Sequence, residues 1–317
     1  MVLKEGKIGF WWIGFVVKIG TIRLGILQMW LHNPEKMAYV LSYFQLKPIL
    51  AARGTGRDEM ACSLDLGLSQ TMVKLTPAGL WLPNDFCLTW ESVGEIVANE
   101  LGCYWVAPAG IEKIQFFSQP FQRFYSLMPT AGAPTMLISG IPMHRIKDVD
   151  PHQDTLNKIK ALGPVTGKVL DTTMGLGYTA IQAAKRAQSV ITLELDPTVL
   201  EICRRNPWSQ LLFDNPKITQ IVADAYDWVT EVEEGVFSAV IHDPPTFSLA
   251  GDLYSADFYR QLWRVLKARG RLFHYIGDPH SKSGANVTKG VVRRLQAVGF
   301  GQVVLKPEAF GLLAVKN

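Results

Sequence analysis

Asp243-Pro244-Pro245-Thr246-Phe247 follows Val240-Ile241-His242, an apolar run that reads as a buried strand. Each proline fixes φ, carries no N–H, and biases the residue before it away from helix. A carboxylate and two carbonyls therefore stand in one stiff arrangement where a strand ends. Such a lip can hold a flat, amine-bearing group. Asp243 and the Pro244 carbonyl are the acceptors beside its nitrogen, Thr246 comes next, and Phe247 is the candidate stacking wall. The plainer readings are a loop cap for Asp243 and core packing beside Leu249 for Phe247. His242 faces the other side of its strand and reads as a satisfied core histidine.

A second set of residues lies upstream. Val169-Leu170 runs into Asp171-Thr172-Thr173-Met174-Gly175-Leu176-Gly177-Tyr178, with a helical pattern behind it. Strand, Gly-x-Gly turn and helix make the first βα unit of a nucleotide-binding sheet, in which glycine lets backbone approach a ligand. Val190 to Leu193 is a second strand and ends at Glu194, 23 positions past Asp171, about the spacing of a ribose-binding acid. Lys217 to Val222 is a third and ends at Ala223-Asp224-Ala225. Four strands thus deliver an acid at their carboxyl ends, the ligand-binding edge of an open α/β sheet.

These motifs resemble the class I S-adenosylmethionine (SAM)-dependent methyltransferases over about Pro151 to Asn317. Asp171, Gly175 and Gly177, with Thr173 ahead of them, match the family's first motif, which wraps the methionine end of SAM. Glu194 matches the acid that holds the ribose hydroxyls. Asp224, followed by Ala225, matches the acid near the adenine amine, and Asp243 to Thr246 match the fourth motif. Tyr125 to Lys316 is similar to a group of predicted methyltransferases found in archaea and some bacteria. Asp-Pro-Pro-Thr-Phe-Ser also resembles a motif of bacterial ribosomal-RNA methyltransferases that modify a guanine ring nitrogen.

The resemblance implies an α/β fold, a seven-stranded Rossmann-like methyltransferase sheet with a small, mostly β N-terminal domain. It implies SAM as cofactor and methylation of a nitrogen in an RNA base or a similar planar substrate. A small-molecule acceptor stays open as a partner beside RNA. Two other functions compete. One is a spermidine-synthase-like aminopropyltransferase, which shares this sheet and uses decarboxylated SAM. The other is a non-catalytic SAM-binding factor associated with RNA.

The elements that must position these residues follow the sequence patterning. The chain has 317 residues, 48% hydrophobic and 19% charged, with net charge +4. That balance fits a globular protein and lacks the clustered bases of a nucleic-acid patch. Cys62, Cys87, Cys103 and Cys203 have no metal-ligand spacing and read as buried thiols of a reducing, cytoplasmic protein. The histidines are scattered, so no metal is expected.

Residues 1–59 read as a hydrophobic extension followed by a helix from Pro34 to Arg53, interrupted by Pro48. Within 9–31 the apolar run is long enough for a bilayer, yet Lys18 and Arg23 would each cost about 2.5–3.5 kcal/mol at its centre. The readings are a membrane anchor, a helix packed on the body, or translated sequence ahead of a start at Met37 or Met60; the last is favoured. Residues 60–130 read as the small mixed, mostly β domain, with strands including Ile111 to Phe117 and Phe121 to Met128. Residues 131–150 read as a connector, whose His144 and Arg145 either reach the site or leave Arg145 pairing a surface acid. Residues 151–317 are the SAM-binding methyltransferase domain. Its helices are expected at Tyr254 to Lys267 and Asn286 to Val298. A closing antiparallel pair is expected at Gly301 to Leu305 and Gly311 to Val315. His274 and Tyr275 end the fifth strand, and one of them should face the site.

Overall fold

Near-continuous apolar runs such as Val169-Leu170 and Ala239-Val240-Ile241 need cover on both faces. The structure, a computed structural model, describes residues 38–245 and 250–317. Seven strands form one mixed sheet: β1 (Lys168–Asp171), β2 (Ser189–Glu194), β3 (Ile218–Val222), β4 (Phe237–His242), β5 (Leu266–Tyr275), β6 (Phe300–Lys306) and β7 (Gly311–Lys316). Their order is β3-β2-β1-β4-β5-β7-β6. The first five are parallel, and β7 runs antiparallel to both β5 and β6. This is the Rossmann-like sheet expected, with its closing pair.

Side chains alternate across the sheet. Val169, Val190, Ala239, Ile241 and Phe273 pack into one layer, covered by α1 (Pro151–Leu162), α2 (Tyr178–Ala184) and α3 (Thr198–Arg205). Leu170, Leu193, Val240 and Leu272 pack into the other, under α4 (Ala256–Val265) and α5 (Lys282–Ala297). Asp150 starts α1 by accepting from the His152 and Gln153 N–H groups, with Pro151 in the first turn. From β1 the chain proceeds to one side of the sheet, and from β4 to the other. The carboxyl ends of β1 and β4 therefore flank the switch point where such sheets bind ligands.

Residues 39–142 carry short strands in three small antiparallel sheets. One joins Tyr39–Leu41, Tyr104–Ala107 and Gly110–Lys113. A second joins Glu59–Cys62, Thr71–Leu75, Gly79–Leu82 and Phe86–Thr89. The third joins Gln115–Ser118, Arg123–Met128, Thr135–Ile138 and Ile141–Pro142. The run expected as one strand, Ile111 to Phe117, divides at Ile114, whose N–H bonds Cys103 and whose carbonyl accepts from Leu127. The buried Ile114 side chain turns into the main core there, so the two halves of the run join different sheets.

Two further expectations change. Residues 131–150 are more than a connector, because they supply two strands to the third sheet. The helix expected from Pro34 begins only at Tyr43 and runs to Gly54, because Ser42 and Gln45 form a capping box; Tyr39–Leu41 ahead of it is a strand. Pro48 sits within that helix on its exposed side without ending it. Among the described residues no helix is long and apolar enough to cross a membrane; residues 9–31 lie outside them.

The turn from β1 to α2 depends on its glycines. Gly177 has φ +75°, and a Cβ there would fall 2.8 Å from the Leu212 side chain; Gly175 has φ +51° with open space around it. Denaturant titration should show Gly175→Ala costing about 1–2 kcal/mol of unfolding free energy, from backbone strain alone. Gly177→Ala should cost about 1–3 kcal/mol more, because the core beside Leu212 must also move. Equal losses at the two positions would contradict this account.

Candidate functional site

The loop after β1 is held from below. The Asp171 carboxylate accepts from Thr179 Oγ1 at 2.9 Å and Thr192 Oγ1 at 3.2 Å, tying β1 to α2 and β2. Burial pushes its pKa up to about 7, against the pull of the Thr179 hydroxyl. Above it, Met174 N–H donates to the Leu193 carbonyl at 2.7 Å. Gly175 N–H donates to Glu194 Oε2 at 3.0 Å, and Asp196 N–H donates to Glu194 Oε1 at 3.1 Å. Burial pushes the Glu194 carboxyl up to about 7, and these backbone donors pull it back. The Thr173 Oγ1 hydroxyl is shielded from solvent without a hydrogen-bond partner. An orphaned hydroxyl beside a glycine loop and an acid is a polar group still short of a partner, which a ligand could supply.

At the end of β3, Asp224 is exposed and accepts from Tyr226 N–H at 2.8 Å. The buried Ala225 begins the short turn that Asp224 caps. Ala223 N–H donates to the Glu194 carbonyl at 2.9 Å, which sets the ends of β2 and β3 side by side. Six of the residues expected to bind the cofactor, Asp171, Thr173, Gly175, Gly177, Glu194 and Asp224, therefore share one edge of the sheet. Leu195 and Val222, both about half-exposed, add apolar surface to it.

The β4 end carries a residue that the sequence reading missed. Lys158, on α1, is buried, and its Nζ lies 2.6 Å from Asp243 Oδ2 and 2.9 Å from Asp154 Oδ2. Asp154, fully buried, also takes Arg145 Nη1 at 3.1 Å. Arg145 in turn donates to the Glu308 carbonyl and covers the Phe310 ring. Burial works against the Lys158 charge, but Asp243 and Asp154 outweigh it and hold its pKa above the ordinary value. Burial raises the Asp243 carboxyl, against the pull of Lys158. Among the described residues no donor reaches Asp243 Oδ1.

The other expectations resolve around this ion pair. Tyr275 borders it, with Lys158 Nζ 4.5 Å from the ring centroid. His274 points the other way, into the core, with its Nε2 2.7 Å from the Tyr259 hydroxyl. His242 is buried against Thr172 Oγ1 and the Leu253 carbonyl, and burial holds its pKa down at about 3, so it stays neutral. His144 pairs with Thr135 Oγ1 instead of reaching the site. Arg145 pairs a buried acid, not a surface one. Pro245 accepts from the Tyr254 hydroxyl at 3.0 Å, which pins the loop that Pro244 begins. Thr246 and Phe247 lie outside the described residues. Cys62, Cys103 and Cys203 are buried free thiols, and Cys87 is half-buried. Among the described residues no acid, histidine and cysteine group could hold a metal.

No protein-family model matches the chain. Over 195 residues, 61% of the chain, it is 53% identical to the uncharacterized protein MJ1233 of Methanocaldococcus jannaschii, covering 67% of that protein. It is 30% identical over 106 residues to the polyamine aminopropyltransferase of Sulfurisphaera tokodaii and 33% identical over 116 residues to that of Mycobacterium tuberculosis. The chain spans only 35% and 22% of the lengths of those two enzymes.

Among solved structures, a spermidine synthase in complex with a transition-state analogue aligns with TM-score 0.53 at 20% identity, over 65% of this chain and 76% of that one. The spermidine synthase of Thermotoga maritima aligns with TM-score 0.52 at 20% identity, over 65% of this chain and 75% of that one. At that identity the likeness is one of fold. These matches correct the expectation of a SAM-dependent methyltransferase acting in RNA modification. The two relatives above with a named activity are aminopropyltransferases, and enzymes of that type use decarboxylated SAM, not SAM, as donor. The chain belongs to the same family as MJ1233 of Methanocaldococcus jannaschii, on a fold that it shares with the spermidine synthases.

Proposed function

We propose that the protein is a spermidine-synthase-like aminopropyltransferase, moving an aminopropyl group from decarboxylated SAM to an amine. One observation carries the reading: the ligand edge is lined by acids, and its buried ammonium is already taken. Asp171, Glu194 and Asp243 end three strands, and Lys158 among them is bound by Asp243 and Asp154. A donor that kept its carboxylate would bring one more anion to this acid-lined edge, and Lys158 is not free to receive it. Decarboxylated SAM brings a sulfonium and an ammonium and no carboxylate. Asp171 and Asp243 lie close enough for the charge on one to raise the pKa of the other. A cationic tail over the switch point relieves that repulsion. The related aminopropyltransferases support the same chemistry.

In this reading Glu194 takes the ribose hydroxyls, Asp224 and Ala225 meet the adenine, and Thr173, Gly175 and Gly177 line the tail. Leu195 and Val222 give the adenine apolar surface. The acceptor nitrogen attacks the propyl carbon attached to sulfur. The C–S electron pair returns to sulfur, and neutral methylthioadenosine leaves without acid assistance. The acceptor amine arrives as an ammonium and must lose one proton to free the lone pair that attacks. Asp243 Oδ1 is the acceptor placed for it, while Lys158 fixes the carboxylate through Oδ2. The strand-rich residues 60–130, with the hairpin after them, form the module that chooses the acceptor.

The direct measurement is release of methylthioadenosine from decarboxylated SAM in the presence of primary amines. Absence of release with every amine offered, in protein that binds methylthioadenosine, would end this reading. Asp243→Asn should lower turnover by about two to four orders of magnitude while methylthioadenosine binds within a few-fold of the parent. Near-normal turnover in that variant would remove Asp243 from the mechanism.

Affinity should also depend on pH. Glu194 is partly protonated in the free protein near pH 7, because burial raises its carboxyl to about 7. Ribose hydroxyls donate to the charged form, so binding favours the carboxylate and releases a proton. Affinity for methylthioadenosine should therefore be full above that value and fall by about tenfold between about pH 8 and about pH 6. Glu194→Gln should bind weakly with a flat profile. Calorimetry across that range checks both, and an affinity that rises on acidification would contradict the assignment.

A further inference from the structure

Beside the Asp243 loop lies a cleft of about 100 Å³, lined by Arg123, Ile138, Ser139, Ile141, Met143 and Pro245. Its walls come from the third small sheet and its hairpin on one side, and from Pro245, two residues past Asp243, on the other. We propose that this cleft takes the acceptor, and that the acceptor is a primary amine on an apolar stem ending in an anionic group, not a polyamine. The proposal rests on the aminopropyl-transfer reading and assigns its substrate class.

Two observations meet here. Two residues before Pro245 stands Asp243, whose charge cancels with those of Lys158, Arg145 and Asp154 as two ion-paired cations and two carboxylates. Lys158 holds the ammonium position on Asp243 Oδ2, which leaves Oδ1 for one acceptor N–H. Within that quartet no surplus negative charge remains for a second cation on the acceptor. The only charged side chain among the described residues that line the cleft is Arg123, which has no ion-pair partner among them. Most of the remaining lining is aliphatic: Ile138, Ile141 and Met143. A diamine would carry its distal ammonium to a guanidinium across an apolar gap, where like charges repel with little screening. A carboxylate at the same position pairs with Arg123 bidentately. Electron and proton balance are those of the transfer itself. The amine forms the N–C bond, sulfur keeps the C–S pair, and the ammonium proton passes to Asp243 and on to solvent.

Three amines of matched stem separate the possibilities: γ-aminobutanoate, butylamine and putrescine, each titrated calorimetrically into the full chain saturated with methylthioadenosine. The expected order of affinity is that order, with at least about tenfold between first and last. Arg123→Gln should shrink the gap between γ-aminobutanoate and butylamine by about tenfold, and Arg123→Lys should keep most of it. Putrescine binding as tightly as γ-aminobutanoate, no binding by any of the three, or an unchanged gap in Arg123→Gln overturns the proposal. Turnover separates its failure from failure of the reading beneath it. Methylthioadenosine released with putrescine as the best acceptor sinks the acceptor class and leaves aminopropyl transfer standing. The expected binding order with no release for any amine sinks aminopropyl transfer and leaves the cleft's selectivity standing.

Discussion

A lysine buried between two carboxylates constrains everything near the ligand edge. Taking the Lys158 ammonium out of water costs several kcal/mol, offset only while Asp243 and Asp154 stay in contact with it. That condition fixes α1 against the end of β4. Through Asp154 it also fixes Arg145, and through Arg145 the carbonyl of Glu308 just before β7. Three chain segments that are distant in sequence, 145–158, 243 and 308, converge on one ion-pair network. Removing any one partner leaves an uncompensated ion in the interior, so the arrangement acts as a unit. Asp243 is therefore not a carboxylate free to swing into solvent; one of its oxygens is committed to the scaffold, and the proposed reaction uses the other.

The nucleoside side obeys a complementary rule. Asp171 and Glu194 are both buried enough that each carboxyl sits near pH 7. Each is also stitched to neighbouring elements, Asp171 by the hydroxyls of Thr179 and Thr192 and Glu194 by backbone donors of Gly175 and Asp196. Such acids are poised and not relaxed. They gain most from a ligand that brings positive charge or hydroxyl donors, and least from one that brings another anion. That preference fits the cationic nucleoside of the proposed reaction.

Much of this was legible from residue types. The strands of the large sheet are near-continuous apolar runs ending in acids, and the Gly175–Gly177 turn follows one of them, so β1 to β4 and their carboxyl ends could be placed by pattern alone. Lys158 could not. An Asp and a Lys four positions apart on a helix read as a solvated surface pair. Only tertiary packing turns that face of α1 inward. One signal was present: Asp154, Thr155, Lys158 and Leu162 share a helical face, so polar residues stood where the core side of the helix had to be. The division at Ile114 was hidden for a similar reason. No Gly or Pro interrupts residues 111–117, and the switch between sheets is dictated by the backbone bonds to Cys103 and Leu127. The distinction between methyl and aminopropyl transfer was out of reach because the same glycines and acids serve both.

That last point locates where specificity resides on this fold. Topology delivers a nucleoside to the ends of β1, β2 and β3 whichever group is to be moved, so the fold alone does not select the reaction. What differs is the charge inventory around the sulfur-bearing tail and the acceptor. A donor that keeps its carboxylate brings an anion to that tail, which a cation or backbone N–H groups must receive. Here the candidate cation is Lys158, and the protein commits it to Asp243 and Asp154. In the aminopropyl-transfer reading proposed above, the internal ammonium that stabilises the scaffold also weighs against one donor and in favour of another. The structural and the chemical role of Lys158 are the same interaction, seen from the core and from the site.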